Sequence, residues 1–146
     1  MTKTNEPAYG RPESEWDELE DACLEFLVER ARAGLTNYTD LNRELVRRTG
    51  LAAFDFGQAA DRAALGHLLG LVAERTFADS GLLISALVTY LRGDSPAAGF
   101  FSLAAEHGLI PATATDFERE AFWSAHVRNL QERYGQKAAV PPPEQP

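Results

Sequence analysis

The chain carries a single cysteine, Cys23, in 146 residues. No internal disulfide framework can form, and a reducing compartment suits it. No apolar run exceeds about ten residues, half of the roughly 20 that a membrane-spanning helix needs. The opening residues, MTKTNEPAYGRPE, lack the apolar stretch of a secretory signal, so the expected setting is the cytoplasm. Positive charge is not in excess. Lysine and arginine number 14 against 22 aspartates and glutamates, a net −8, which argues against a generally cationic nucleic-acid or membrane binder. No repeat of fixed period is visible, and no glycine-rich phosphate loop. His67, His107 and His126 do not share the spacing of a metal site, and Ser85 lacks the glycine-flanked elbow of a hydrolase. No catalytic residue, metal or cofactor is therefore expected, and the chain reads as a non-enzyme.

What is present fits one domain. A length of 146 residues is enough to bury roughly two thirds of the unfolded surface. Residues 1–12 and 136–146 are expected to be disordered tails, the second ending in the proline cluster VPPPEQP, and residues 13–135 form the globular unit. Charge is uneven along this unit. Residues 1–29 hold nine acids against Lys3 and Arg11, whereas residues 30–52 hold five arginines against Asp40 and Glu44.

Helical periodicity places a first helix from Ser14 to Gly34, its apolar stripe running through Trp16, Leu19, Cys23, Phe26 and Leu27. Thr39 and Gly50 bracket a short second helix with Leu41, Leu45 and Val46 inward. Residues 58–77 predict a third, with a stripe of Ala60, Ala64, Leu68, Leu71 and Val72. Gly66 and Gly70 inside it imply close approach by another backbone, since each costs roughly 1 kcal/mol relative to alanine. The β-branched run LLISALVTYL predicts a strand over 82–91 covered on both faces. A turn at RGDSP and a short second strand near 97–101 would complete a ribbon. A helix from about Phe101 to Gly108 follows. The last helix opens on a capping box, Thr115 with Glu118, and carries Trp123, Val127, Leu130 and Tyr134 in one stripe.

This order predicts a mainly α (α+β) domain: a helix pair followed by a short β-ribbon, with flanking N- and C-terminal helices. The pair and ribbon resemble a winged helix-turn-helix, and NYTDL is similar to the opening of many such second helices. The run LISALVTYLRGDSPAAGFFSLAAEHG, with YTDL, LGHLLGLVAE and a late FW, also resembles a group of small bacterial proteins. Their pattern is roughly LSALVV, then PG-x-GFF-x-LA, then FW. The likeness covers about residues 35 to 125 and departs at Pro96-Ala97, where the pattern has Pro-Gly. It implies a shared fold and carries no function.

Two functions follow. In the first, the chain is an adaptor or regulator associated with DNA. Arg43, Arg47 and Arg48 would touch phosphates, while the third helix, entered at Gln58 and bearing Arg62, would approach the groove. In the second, it is a protein-interaction module, a homodimer or a subunit of a larger complex, that binds no nucleic acid. Asp40 and Glu44 stand three or four residues from the arginines and can neutralise them. No membrane and no metal are expected as partners.

Overall fold

The computed structural model of the protein describes residues 9–90, 95–96 and 99–135. Within them lie five α-helices: α1 (Glu13–Ala33), α2 (Tyr38–Thr49), α3 (Ala59–Ser80), α4 (Phe100–Glu106) and α5 (Asp116–Leu130). Two short strands, β1 (Thr36–Asn37) and β2 (Val88–Thr89), form a small sheet. The mainly helical character expected from periodicity is thus observed. No described helix is long and apolar enough to cross a membrane.

Helix ends follow local chemistry. Asn37, not Thr39, caps α2 by accepting the N–H of Asp40 at 2.8 Å, so the helix begins two residues earlier than expected. Gly50 ends it at φ +74°, a conformation open to glycine. Helix α3 runs past its expected end at Phe77 and stops at Gly81. The capping box of α5 forms as expected, with Thr115 Oγ1 accepting from Glu118 N at 3.1 Å and Glu118 Oε1 from Thr115 N at 2.9 Å.

The core is a contiguous apolar cluster. Helix α1 contributes Trp16, Leu19, Cys23, Phe26 and Leu27, and α3 contributes Leu65, Leu68, Leu69 and Val72. The stripe expectations hold for most positions and fail at three, one of them Leu71, which is only partly buried and lies outside the core cluster. Val46 is 37% exposed and Ala60 lies on the solvent side of α3. The glycine expectation fails as well. A Cβ built on Gly66 or Gly70 meets nothing within 4 Å, so no backbone approaches either residue. The close approach occurs elsewhere. After α5, a π-helical turn (Gln131–Gly135) brings Gly135 so near α1 that a Cβ there would lie 3.2 Å from Arg32 Cα.

The largest correction concerns residues 82–91. They do not form a long strand. Ile84–Leu87 make one 3₁₀ turn, and only Val88–Thr89 are extended. These two pair in parallel with β1, Thr36 opposite Val88 and Asn37 opposite Thr89, whereas a ribbon would be antiparallel. Among the described residues one antiparallel bridge joins Thr89 to Pro96 of the expected turn, and Phe100, expected in the return strand, belongs to α4. The RGD turn and residues 97–98 lie outside the described residues.

The cause is a set of side chains that claim the backbone groups a neighbouring strand would have used. Leu83 N–H donates to His126 Nε2 at 2.8 Å, and Ile84 N–H to Thr76 Oγ1 at 3.1 Å. Trp123 Nε1–H donates to Ala86 O at 2.9 Å. A buried backbone group must find a partner, and here the partners are side chains of α3 and α5. Every residue from 83 to 89 is buried, so the expectation of a segment covered on all sides holds although its conformation differs. Tertiary context overrides the local preference of β-branched residues for strand.

Candidate interaction surface

Helix α2 carries the residues expected to meet phosphates, and its sequence pairs each of them with an acid of the same chain. Arg43 donates to Asp40 Oδ1 at 2.8 Å and Arg47 to Glu44 Oε1 at 2.8 Å, both one helical turn back. Arg48 is held from three directions. Its Nε donates to Glu44 at 3.0 Å, while its two terminal nitrogens donate to Glu25 at 3.0 Å and Glu29 at 2.8 Å on α1. The guanidinium also lies 5.3 Å from the centre of the Phe26 ring. Only 14% of the Arg48 side chain is exposed.

The electrostatics follow from this geometry. Bonds from Arg47 first and Arg48 second hold the Glu44 carboxyl down to about 2, and Arg48 lowers Glu29 as well. Arg48 is pushed above the usual arginine range, chiefly by its bond to Glu29. The surroundings are acidic. Glu18, Asp21 and Glu25 line an open groove of about 320 Å³ together with Ala22, Arg48 and Thr49. A phosphate approaching this face meets carboxylates already bonded to the cations and further carboxylates beside them.

The remaining expected residues sit at the start of α3. Gln58 occupies the N-cap position without a side-chain capping bond. Arg62 donates to the carbonyl of Phe56 at 2.7 Å and so ties down the α2–α3 connector. Other residues clamp the same connector. Asn42 forms a two-way bridge to Phe54, its Nδ2 donating to the carbonyl at 2.9 Å and its Oδ1 accepting the N–H at 3.0 Å. Arg11 donates to Ala52 O at 2.9 Å and lies 4.3 Å from the Phe54 ring centre. Within the expected N-terminal tail, residues 1–8 lie outside the described residues, whereas Arg11 and Tyr9 pack on the domain, Tyr9 against Trp16 and His67. The α2–α3 pair is thus set rigidly, and the structure brings Arg43, Arg47 and Arg48 together while turning Arg62 to a structural bond.

The titratable groups that could have carried chemistry are otherwise engaged. Cys23 is fully buried, and burial, reinforced by Glu20, pushes its thiol far above the ordinary range, which leaves it unreactive. His126 accepts a backbone N–H with Nε2 and is pushed down to about 4 by burial, so it is neutral. His107 bonds Glu74 at 2.9 Å and stacks on Phe77. Among the described residues no three His, Cys, Asp or Glu side chains are grouped to hold a metal ion.

The exposed large apolar side chains among the described residues are Tyr9, Val46, Tyr90, Leu109 and Phe117, and two places bear on a partner. Phe117, in the first turn of α5, is 82% exposed. On the same helix Arg119 covers the Phe101 ring at 5.4 Å and borders a groove of about 150 Å³ with Ala105, Ile110 and Pro111. The second place is a cluster of three rings, Tyr38, Phe56 and Tyr90, from three separate elements. A signal existed for Phe117: it falls off the stripe defined by Trp123, Val127, Leu130 and Tyr134. No signal in the local sequence unites the three rings, because the fold alone brings them together.

Comparisons with protein-family models, with curated proteins and with solved structures found no match for this chain.

Proposed function

We propose that this chain is a non-enzymatic protein-interaction module of the cytoplasm, built on a winged-helix-like order of elements, that works without nucleic acid. The observation that carries this reading is the state of Arg48. Three glutamates from two helices share its guanidinium, so the centre of the expected cationic face joins α2 to α1. Arg43 and Arg47 are likewise matched by carboxylates at helical spacing. The sequence of helix, strand, helix, helix, strand supports the winged-helix comparison, and the parallel pairing of β1 with β2 departs from it. Phe117, at 82% the most exposed of the large apolar side chains among the described residues, is the ring offered here to a protein partner.

The rival reading, an adaptor or regulator associated with DNA, draws on the heads of Arg43 and Arg47. Their side chains are largely exposed, and surface ion pairs are worth only about 0–1 kcal/mol, so a phosphate can compete for them. Affinity capture with and without nuclease separates the two. The interaction module predicts a partner retained after nuclease treatment and lost in Phe117→Ser, a change that leaves the fold intact. Capture that disappears with nuclease, and that Phe117→Ser leaves untouched, would overturn it.

A further inference from the structure

A groove and an exposed ring lie on opposite sides of α5. The groove has a volume of about 150 Å³ and is lined by Phe101 and Ala105 of α4, Ile110 and Pro111 of the connector, and Arg119. An apolar cavity on the order of 150 Å³ holds one benzene molecule, so the space matches a single phenyl side chain. Phe117 presents such a side chain, 82% exposed. At 3.6 residues per turn, residues two apart stand about 200° from each other around the helix axis. The Phe117 ring is therefore turned away from Arg119 and does not line the groove of its own chain. Only another copy can bring this ring to that groove.

Charge is complementary across such a contact. The Arg119 guanidinium lies over the Phe101 ring, 5.4 Å from its centre, and makes no ion pair among the described residues. Phe117 stands between two exposed acids, Asp116 one residue back and Glu120 one turn on, and neither has an ion-pair partner among the described residues. Glu118 is already taken by its bond to the N–H of Thr115. The contrast with α2 is plain, since Arg43, Arg47 and Arg48 are matched within the chain.

We propose that copies of this chain associate head to tail, Phe117 of one entering the α4–α5 groove of the next. Arg119 at that groove then meets Asp116 and Glu120 beside the incoming ring. The proposal rests on the reading that Phe117 meets a protein, and it names that protein as a second copy. Ring and groove are different patches, so the contact is heterologous and leaves each assembly a free ring and a free groove unless it closes into a ring of copies. One side chain per contact is far less than the roughly 1,200 Å² of a stable interface, so a dissociation constant on the order of 0.1–1 mM is expected.

Nuclear magnetic resonance on the isotope-labelled full chain, beside sedimentation velocity, tests this. The Ala105 and Ile110 methyl resonances should move as concentration rises, while sedimentation shows growing assemblies. Two variants each remove one half of the contact. Phe117→Ser removes the ring, and Ser102→Trp fills the groove, which Ser102 lines from an exposed position. Each alone should stay monomeric. Unlabelled Ser102→Trp added to labelled Phe117→Ser should restore the Ala105 and Ile110 shifts, with assembly stopped at a pair. A wild-type chain that stays monomeric up to about 1 mM, or association that survives Phe117→Ser, would overturn the proposal. So would Ala105 and Ile110 shifts in Phe117→Ser that do not depend on concentration, because the ring would then act within its own chain. Capture of a different protein through Phe117 by a monomeric chain would remove the second copy and leave the interaction module standing. Absence of both self-association and capture would remove the module as well.

Discussion

The outer face of α2 and the buried segment 83–89 both satisfy polar groups, but with partners at opposite distances in sequence. On α2 the pairs Asp40–Arg43, Glu44–Arg47 and Glu44–Arg48 close over three or four residues, at the surface. Along the buried segment, Leu83 depends on His126, 43 residues away, and Ala86 on Trp123, 37 away. Water can replace any exposed member of the first set at little cost. It cannot replace a member of the second, where a stranded donor or acceptor costs its whole desolvation penalty. Arg48 stands between the two cases, since it joins a local partner to distant ones on α1. The lesson is that polar groups of α2 are secured by the helix itself, whereas those of the central segment are secured by the fold.

The strongest way to break the comparison is through packing around the central segment. Phe100 is buried in a ring cluster with Phe101, Phe122 and His126. Phe100→Ala should cost about 3–5 kcal/mol in denaturant unfolding. Phe101→Ala should cost clearly less, because that ring is only half-buried at the groove. Equal losses would mean that the groove is closed in solution.

Acid sharpens the same contrast. His126 must be neutral to accept the Leu83 N–H, and its folded value near 4 lies below the ordinary 6.5. The unfolded chain therefore binds a proton first. Stability from this group is whole above pH 6.5 and falls as the pH drops from 6.5 towards 4, by about 3 kcal/mol in all. His126→Gln should be less stable at pH 7 and should lack this portion of the acid loss, a pair of results that unfolding curves across that range can read.

Smaller effects are expected at the helix surfaces. Arg48→Ala should cost about 1–2 kcal/mol, reduced by salt, because one guanidinium serves three partly exposed carboxylates. Arg43→Ala, by contrast, should stay within about 0.5 kcal/mol. At Gly66 the sign reverses. With open space around it in mid-helix, Gly66→Ala should stabilise by up to about 1 kcal/mol, read as a rise in Tm. A drop in Tm would mean that another chain covers this face of α3.

The same distinction explains what was legible in the sequence. The helices of the N-terminal half, the capping box at Thr115 and the pairing of Arg43 and Arg48 with acids follow from contacts within a few residues. The 3₁₀ turn at Ile84–Leu87 does not. Ile84 within it and Val88 and Thr89 after it favour strand, and only the positions of Thr76, Trp123 and His126 in space, which no local pattern encodes, redirect it. The bridge from Asn42 to Phe54 and the Tyr38–Phe56–Tyr90 cluster were invisible for the same reason. Gly66 and Gly70 misled because a helix glycine signals either close approach or mere tolerance, and spacing alone does not separate them. For the candidate site, the sequence supplied both Arg43, Arg47 and Arg48 and the acids that neutralise Arg43 and Arg48. It could not supply Glu25 and Glu29, the two α1 residues that tie Arg48 to the neighbouring helix.

The central claim is that these arginines are engaged within the chain and bind no nucleic acid. Titration of duplex DNA at low salt, read by mobility shift, tests it most directly, with wild type beside Arg43→Ala/Arg47→Ala/Arg48→Ala. The account predicts no retarded band for either protein at concentrations on the order of tens of micromolar, since no net cationic face is left to release counterions. A wild-type band whose log–log salt slope falls by about two to three units in the triple variant would contradict it.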